Sequence, residues 1–577
     1  MRWFIPQPSA ADSAVASELA VALGCHPLAA RVLVQRGHRS VEDARAFLAD
    51  GLSDLPDPLR MKGMSEAVER LLRAVREREA VVLYGDYDVD GVCATAILAS
   101  FMRELGAEPK TYLPHRLREG YGVNMAAVEK LAAEGARVLV TLDCGITAHA
   151  EVARAQALGV DVIVVDHHAV PETMPPAHAV LNPMQPGCDY PTRHLCAAGV
   201  AFNLCIAMRR SLRDGGFFQG KTEPDLRQWL DLVALATIAD VVPLTGANRI
   251  LVRHGLAALS RAERLGVRAL KEVSGLGANE VVSAGQVGFR LGPRINAAGR
   301  LDDAATGLRL LLAENNDDAV RLAKALDDAN VERQAVEARI TAQALHMAEA
   351  RKDDFGLVLW GQDWHPGVVG IVASRVVERF HRPVVVIAVN DGVGKGSARS
   401  VEGVHLVEAL GECAPLLERF GGHKAAAGLT IQAEHLEAFR QEFARCCEQR
   451  LSADDLVRRC KVDAWVSPDD LNEGTVLGLE RLGPFGMGNP EPVLGAGGLV
   501  ARWRVLPSKR PGAPGHLKLH LPEVPGVDAI GFGMAESADV ASQGPVDAAF
   551  QMGVETFRGV RKVTLRLKAL RNAQTSG

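Results

Sequence analysis

The chain has 577 residues, which at roughly 100–200 residues per domain suggests three to five domains. Hydrophobic residues make up 48% and charged residues 23%, which excludes a disordered tail, a collagen and a coiled-coil rod. With 65 Lys+Arg against 70 Asp+Glu the formal net charge is -5, so no basic footprint covers the whole chain, although local patches stay open. Ten cysteines run from Cys25 to Cys460 without a CxxC pair, which reads as reduced, mostly buried thiols of a cytoplasmic protein. The start, MRWFIPQPSAADSAVASEL, has no uninterrupted apolar core, and no apolar run reaches about 18 residues, so neither a secretory signal nor a membrane span is expected.

Residues 1–60 read as an N-terminal helical extension that packs on the domain after it; VEDARAFLADGL has the i, i+3, i+4 apolar spacing of an amphipathic helix. Residues 61–303 alternate short Val/Ile/Leu runs (AVVLYG, RVLVTLDCG, VDVIVVDHH) with helical patterns, the rhythm of a parallel sheet covered on both faces. The segment from about 200 to 300 reads helical, and residues 304–352 form a long charged connecting helix. Residues 353–452 make a second, smaller α/β unit, with FGLVLWG and RPVVVIAV as strands, a glycine-rich GVGKGSARS and a loop at GGHKAAAG. Residues 453–577 turn to short strands with Pro/Gly turns, an all-β barrel pattern.

The polar residues that end the first strands carry the chemistry, because ligands of such sheets sit beyond the strands' carboxyl ends. Asp86, Asp88 and Asp90 in GDYDVDG stand at alternate positions, which places three carboxylates on one side of an extended backbone. Like charges that close call for cations, and hard oxygen ligands suit Mg²⁺ or Mn²⁺. The spacing also resembles the start of an EF-hand loop, but apolar residues follow Gly91 and no Glu stands at the twelfth position. Asp143 ends VLVTLD, and Asp166-His167-His168 ends VDVIVV; adjacent histidines in an extended segment point opposite ways, so one can bind a metal while the other faces substrate or structure. Asp240 interrupts the apolar helical run LATIADVVPL, where an unpartnered carboxylate costs several kcal/mol. Each has a plainer reading, as a solvated acidic turn, a turn-forming Asp or a surface loop, but three successive strand ends bearing acid or imidazole argue against coincidence. Such a set can hold two divalent cations about 3.5–4 Å apart with a bridging carboxylate, which points to hydrolysis of a phosphoester or phosphoanhydride.

DYDVDG, TLDCG, VVDHH and TIADVVPL, in this order, resemble the four motifs of the DHH phosphoesterase superfamily, and GKGSARS with FGGHKAAAG resembles its DHHA1 partner domain. The chain length, the connecting helix and the terminal β unit with LGPFGMGNPEPVL are similar to the branch formed by single-strand-specific 5′→3′ DNA exonucleases. The likeness covers about residues 60 to 577. It implies an α/β multidomain fold: a parallel-sheet DHH catalytic domain (61–303), a DHHA1 substrate-binding domain (353–452) and an OB-like nucleic-acid-binding barrel (453–577). It implies two divalent cations, Mn²⁺ or Mg²⁺, one held by Asp90, Asp143, His167 and Asp240 and one by Asp88 and Asp143 with Asp86. Asp143 and Asp88 then belong to the catalytic set with His168, which faces the scissile phosphate. Arg116 and Arg300, with Arg294 competing for the latter role, would line the cleft; Ser397 and Arg399 would form a phosphate pocket, and Gly421, Gly422 and His423 a loop that contacts the substrate. Trp364 and His365 resemble residues between the two lobes, with no role assigned.

The terminal unit adds a local charge signal. Residues 501–577 hold 11 Lys/Arg against 6 Asp/Glu, a difference of +5, with Trp503 and Phe557 among them, as in barrels that track single strands by charge and stacking. The resemblance also implies a monomer acting on single-stranded DNA with a 5′-phosphate, beside single-strand binding protein and a RecQ-type helicase, with no membrane. The competing readings are a DHH phosphodiesterase acting on oligoribonucleotides or cyclic dinucleotides, and a non-catalytic replication scaffold that would have lost its metal ligands.

Overall fold

The apolar runs of the first half form one sheet. In the computed structural model five parallel strands lie in the order Lys110–Tyr112, Val81–Gly85, Val138–Leu142, Asp161–Val165 and Ala179–Leu181. The structure describes all residues except 116–118, 121, 302–303, 509–513, 558–559 and 574–577, and every side chain of the rest but those of 300, 301, 556 and 557. Val81–Gly85 and Val138–Leu142 are buried at every position. They read as unbroken apolar runs because helices cover both faces: Met64–Glu77, Val89–Glu104 and Ala197–Asp214 on one side, Met125–Ala133 and His149–Ala157 on the other.

The register positions the site. Gly85, Leu142 and Val165 stand side by side. The residue after each strand continues the ladder: Asp86 N–H donates to Leu142 O (3.0 Å), Asp143 N–H to Val165 O (2.9 Å) and Asp166 N–H to Leu181 O (3.0 Å). Three aspartates are thereby fixed on one level. Counted in chain order the sheet runs 2-1-3-4-5, so the winding reverses between Val81–Gly85 and Val138–Leu142, the crevice where open parallel sheets bind ligands.

The chain divides into two compact units, the larger taking in Trp3–Gly299 and the chain from Cys460 onward, the smaller built on Asp327–Arg459. The single connecting helix expected over 304–352 is two helices, Ala305–Leu311 and Asn316–Glu349. In the smaller unit the strands run in the order Arg419–Gly422, Ala426–Gln432, Val393–Arg399, Val384–Asn390 and Leu357–Gln362, with only the last pair parallel. Two glycine-rich stretches read differently here than from sequence. GKGSARS is a central strand, and GGHKAAAG is a hairpin rather than a loop, with Gly421 opposite Gly428. Glycine is needed in that central strand because a Cβ on Gly394 would come within 2.7 Å of Ile387 and one on Gly396 within 2.8 Å of Leu429. Trp364 is core: its ring lies over Gly361, and its Nε1–H donates to Gln343 Oε1 at 2.7 Å.

The terminal segment is a seven-stranded mixed sheet, crossed by the long hairpin Val546–Phe557 and Val560–Asn572, with two short helices, Glu473–Glu480 and Ala538–Ser542. The N-terminal helices Ala10–Leu23 and Pro27–Gln35 share their core with this sheet rather than with the domain that follows them: Leu28, Val32 and Leu33 pack with Val476, Leu479 and Leu494. The following domain reaches the extension through buried Arg249, which donates to Ala49 O and to Arg481 O, both at 2.9 Å. Amphipathic spacing states that a face is buried but not against what, so this partner more than 400 residues away was out of reach. All ten cysteines are free thiols, and nine of them are buried. Leu33→Ala is expected to cost about 2–5 kcal/mol and to lower the melting temperature, measured by calorimetry, although Leu33 lies in the N-terminal extension.

Candidate metal centre

GDYDVDG does not stay extended. Asp88 caps the helix Val89–Glu104, its Oδ1 accepting from Asp90 N–H (2.9 Å) and Gly91 N–H (3.2 Å), so Asp90 falls in the first helical turn. The alternate spacing therefore splits the three carboxylates instead of aligning them. Asp86 and Asp88 gather with Asp143, while Asp90 gathers with His167 and Asp240; within each group one ligand atom per residue lies within 4.8 Å of the others. The turn needs a glycine, because a Cβ on Gly91 would come within 2.6 Å of the Asp86 backbone.

The fully buried Asp90 carboxylate accepts from the backbone N–H groups of Ala197 (2.6 Å) and Ala198 (2.8 Å), at the positive end of helix Ala197–Asp214. Asp143 adopts a left-handed backbone at φ 67°, and Val241, just after Asp240, does so at φ 59°. Non-glycine residues enter that region at a cost, which the surrounding packing must sustain. Asp240 ends the helix Leu230–Ala239 as its C-cap rather than interrupting it.

Nor do the histidines point opposite ways. Asp166 Oδ1 accepts from the backbone N–H of both His167 (2.7 Å) and His168 (3.1 Å), bending the chain so that the rings lie 4.6 Å apart. His167 Nε2 stands 3.1 Å from Asp143, 3.5 Å from Asp240 and 3.7 Å from Asp90, and has no hydrogen-bond partner among the described residues. His168 Nδ1 is 2.7 Å from Asp166 Oδ1 and 3.9 Å from Asp143. Sequence reasoning gives Asp166 no role of its own; its sole signal was its place before the histidines. It also misses Asn182, whose Nδ2–H donates to His168 O (2.9 Å), and Asn296, whose Oδ1 accepts from Val89 N–H (3.1 Å).

Electrostatics separates the two rings. Burial lowers His167, aided by the neighbouring His168 charge, to about 4, so it is neutral with a free lone pair at physiological pH. Burial also acts downward on His168, but the hydrogen bond and charge of Asp166 outweigh it and lift the ring to about 9. Desolvation and the Asp88 charge raise Asp90 to about 7 despite its two backbone donors, and desolvation with Asp90 and Asp88 raises Asp240 to about 9. Asp143 is raised by burial and by its acidic neighbours. Three carboxylates around a neutral imidazole nitrogen, with Asp86 and Asp88 gathered at one of them, Asp143, are what a pair of hard divalent cations fits, since the cations remove the repulsion that otherwise forces protons on.

Of the other predicted residues, Arg116 and the Arg300 side chain lie outside the described residues. Arg294 donates to Arg290 O (2.7 Å) and Val273 O (3.1 Å). Ser397 and Arg399 stand together on the central strand of the smaller unit, Arg399 Nη1 donating to Ser397 Oγ at 3.1 Å. Burial lowers Arg399, and no carboxylate lies within ion-pair distance of it among the described residues. Gly422 has φ 146°, where a Cβ would come within 2.5 Å of Ala426 O, and His423 N–H donates to Ala426 O at 2.7 Å, so both are part of the hairpin turn. In the terminal sheet Lys518, Arg561, Arg566 and Arg571 pair with Asp528, Glu473, Glu491 and Asp547, which removes part of the expected basic face. Arg502, Trp503 and Arg504 are exposed on the edge strand Arg502–Leu506; Lys509, Arg510, Arg558 and the Phe557 side chain lie outside the described residues.

Three family models match the chain: the DHH family N-terminal domain over residues 80–237, the DHHA1 domain over 353–449 and the RecJ OB domain over 462–569. Single-stranded-DNA-specific exonuclease RecJ of Dickeya dadantii is 40% identical over 559 residues, covering 94% of this chain and 95% of its own. The chain belongs to the RecJ family. RecJ of Bacillus subtilis is 36% identical over 98% of this chain and 70% of its own length. The crystal structure of Thermus thermophilus RecJ in complex with Mn²⁺ superposes with a TM-score of 0.83 at 33% identity, covering all of this chain and 80% of that one. Its Mg²⁺ complex gives 0.78 at 31% identity, covering all of this chain and 79% of that one. The RecJ relationship agrees with the α/β multidomain fold and OB-type terminal unit expected from sequence. No described helix is long and apolar enough to cross a membrane.

The raised pKa values set a pH dependence. A carboxyl raised from 3.8 to about 7 (Asp90) or about 9 (Asp240) contributes stability that is complete below 3.8 and lost as pH climbs through those values. His168, raised from 6.5 to about 9, contributes fully below 6.5 and loses it on the same climb. In EDTA the melting temperature is therefore expected to fall from about pH 4 to about pH 9, most steeply above about pH 6.5 where His168 adds to the two carboxyls. The increment on adding Mn²⁺ should grow over the same interval, because ligands must shed protons to bind a cation.

Proposed function

We propose that the chain is a two-metal-ion exonuclease that degrades single-stranded DNA 5′→3′ to 5′-mononucleotides. The observation that carries this reading is the pair of ligand groups meeting at Asp143, on a chain that matches 95% of the length of a relative named single-stranded-DNA-specific exonuclease. Asp86, Asp88 and Asp143 would hold one Mn²⁺ or Mg²⁺, and Asp90, Asp143, His167 and Asp240 the other. Bound there, divalent cations supply positive charge to the phosphate oxygens and acidify a nucleophilic water.

The remaining steps fall to the chain's own side chains. Asp166 holds Nδ1 of His168, which leaves the Nε2–H of a charged imidazolium to donate to an oxygen of the scissile phosphate. Ser397 and Arg399 would receive the terminal 5′-phosphate, supported by an arginine without an acidic competitor; Gly422 and His423, with Arg116 and Arg300, complete the assignment. The terminal sheet would follow the strand with the exposed Arg502, Trp503 and Arg504. Acting on DNA, the protein would work in the cytoplasm as a monomer, beside single-strand binding protein and a RecQ-type helicase. A phosphodiesterase for oligoribonucleotides or cyclic dinucleotides does not account for the RecJ OB match over 462–569, and a non-catalytic scaffold does not account for an intact set of ligand-type residues.

Asp143→Asn is expected to abolish release of nucleotides from a 5′-phosphorylated, 3′-labelled single strand while the protein stays folded by circular dichroism; full activity in that variant would sink the two-metal assignment. His168→Gln should lower kcat by about 100-fold or more, with Mn²⁺ binding measured by calorimetry retained. Arg399→Ala should raise KM for 5′-phosphorylated strands by roughly tenfold or more and change KM little for 5′-hydroxyl strands; equal effects on both substrates would remove Arg399 from the phosphate site.

A further inference from the structure

The stretch after Ser283 packs against the metal centre at two places. Asn296 Oδ1 accepts the N–H of Val89, between Asp88 and Asp90, and a Cβ on Gly299 would come within 2.5 Å of Tyr87 O. Nearer its start, a Cβ on Gly288 would lie 3.9 Å from Ile238 Cγ2 and one on Gly292 3.3 Å from Ala239 Cβ, on the two residues before Asp240. At this second contact the backbone departs from the α-helix, as Val287–Leu291 forms a π turn, a rare geometry that recurs at functional sites. The turn buries Val287 and Leu291 and directs Phe289 and Arg290 outward.

Phe289 is 82% exposed, an orientation that forgoes most of what a phenylalanine gains from burial. Beside it, exposed Arg290 makes no ion pair among the described residues. Val241, directly after Asp240, is 56% exposed. An exposed aromatic face and a guanidinium outside any described ion pair stand here on a turn whose Gly288 and Gly292 pack against the helix that ends at Asp240. They are complementary to one kind of occupant, a strand that offers a flat base and a phosphate one bond sequence apart.

We propose that Phe289 is a stacking platform for one unpaired base of the strand seated on the metal centre, with Arg290 taking a neighbouring phosphate. This rests on the exonuclease reading and deepens it. A base inside a duplex has both faces covered by its neighbours, so only an unstacked strand can use the platform; the π turn would thus contribute to single-strand preference from beside the metal site. Phe289 acts here as a positioning residue and touches no reacting atom.

The test is hydrolysis of 5′-phosphorylated oligodeoxynucleotides by the full chain with Mn²⁺, comparing an intact strand with strands in which a tetrahydrofuran spacer replaces one base at a time. The native protein should show one position where the spacer raises KM by about tenfold while kcat stays within about twofold. Phe289→Ala should raise KM on the intact strand by a similar factor and no longer respond to the spacer at that position, and Phe289→Trp should restore both behaviours. A native-level KM for Phe289→Ala on the intact strand, or the same spacer penalty in Phe289→Ala as in the native protein, overturns the proposal and leaves the ring to a protein partner. Loss of kcat without rescue by Phe289→Trp overturns it too, by making the ring structural. Should the native protein hydrolyse no single strand, the exonuclease reading fails, and the platform is judged separately by 2-aminopurine quenching in a bound strand: present in the native protein and absent in Phe289→Ala supports it, equal quenching in both refutes it.

Discussion

The structure is organised around a repulsion. Asp86, Asp90 and Asp143 are almost wholly buried within one crevice, with Asp88 and Asp240 beside them, and burial together with mutual charge drives the deeper ones toward protonation. A fold can hold such a group only by fixing each carboxylate separately. The parallel register sets Asp86, Asp143 and Asp166 on one level, the start of helix Ala197–Asp214 receives Asp90, and the left-handed turn at Asp143 swings its carboxylate between the two ligand groups. The backbone cost at Asp143 and the close approach at Gly91 are the local consequences of that arrangement.

The two histidines show how one aspartate can assign two functions. Asp166 bonds both backbone N–H groups and one imidazole nitrogen. That single carboxylate lifts His168 to about 9, while His167, further from it and more deeply buried, drops to about 4. Adjacent residues of the same type are thereby made into a cationic donor and a neutral ligand-type nitrogen. Replacing Asp166 would disturb both rings at once, through orientation as well as charge.

Charge counted along the chain was a poor guide to the terminal unit. The excess of +5 over residues 501–577 is a local charge signal, yet four of those cations are engaged by acids from the same sheet or its neighbouring segments. What remains exposed outside those pairs among the described residues is Arg502 and Arg504 on the edge strand with Trp503, and Lys562 and Lys568 on the long hairpin. By contrast, Phe289 and Arg290 stand open on a turn that sequence reading passes over, because its buried Val287 and Leu291, four residues apart, fit an α-helix equally well.

The sequence by itself determined the parallel sheet, the residues that end its strands and the family those motifs resemble, since unbroken apolar runs and the polar residues closing them follow from local burial. It also determined the residue types able to hold divalent cations. Only the tertiary structure decided how those residues divide: that Asp88 caps a helix and sends Asp90 to a different group, that both histidines face Asp143, and that Asp240 ends its helix. These depend on hydrogen bonds to residues distant in the chain, such as Ala197 for Asp90. The same limit hid the docking of the N-terminal helices on the terminal sheet and the strand nature of GKGSARS. An amphipathic face does not name its partner, and a glycine does not reveal whether it turns the chain or makes room for Ile387 and Leu429.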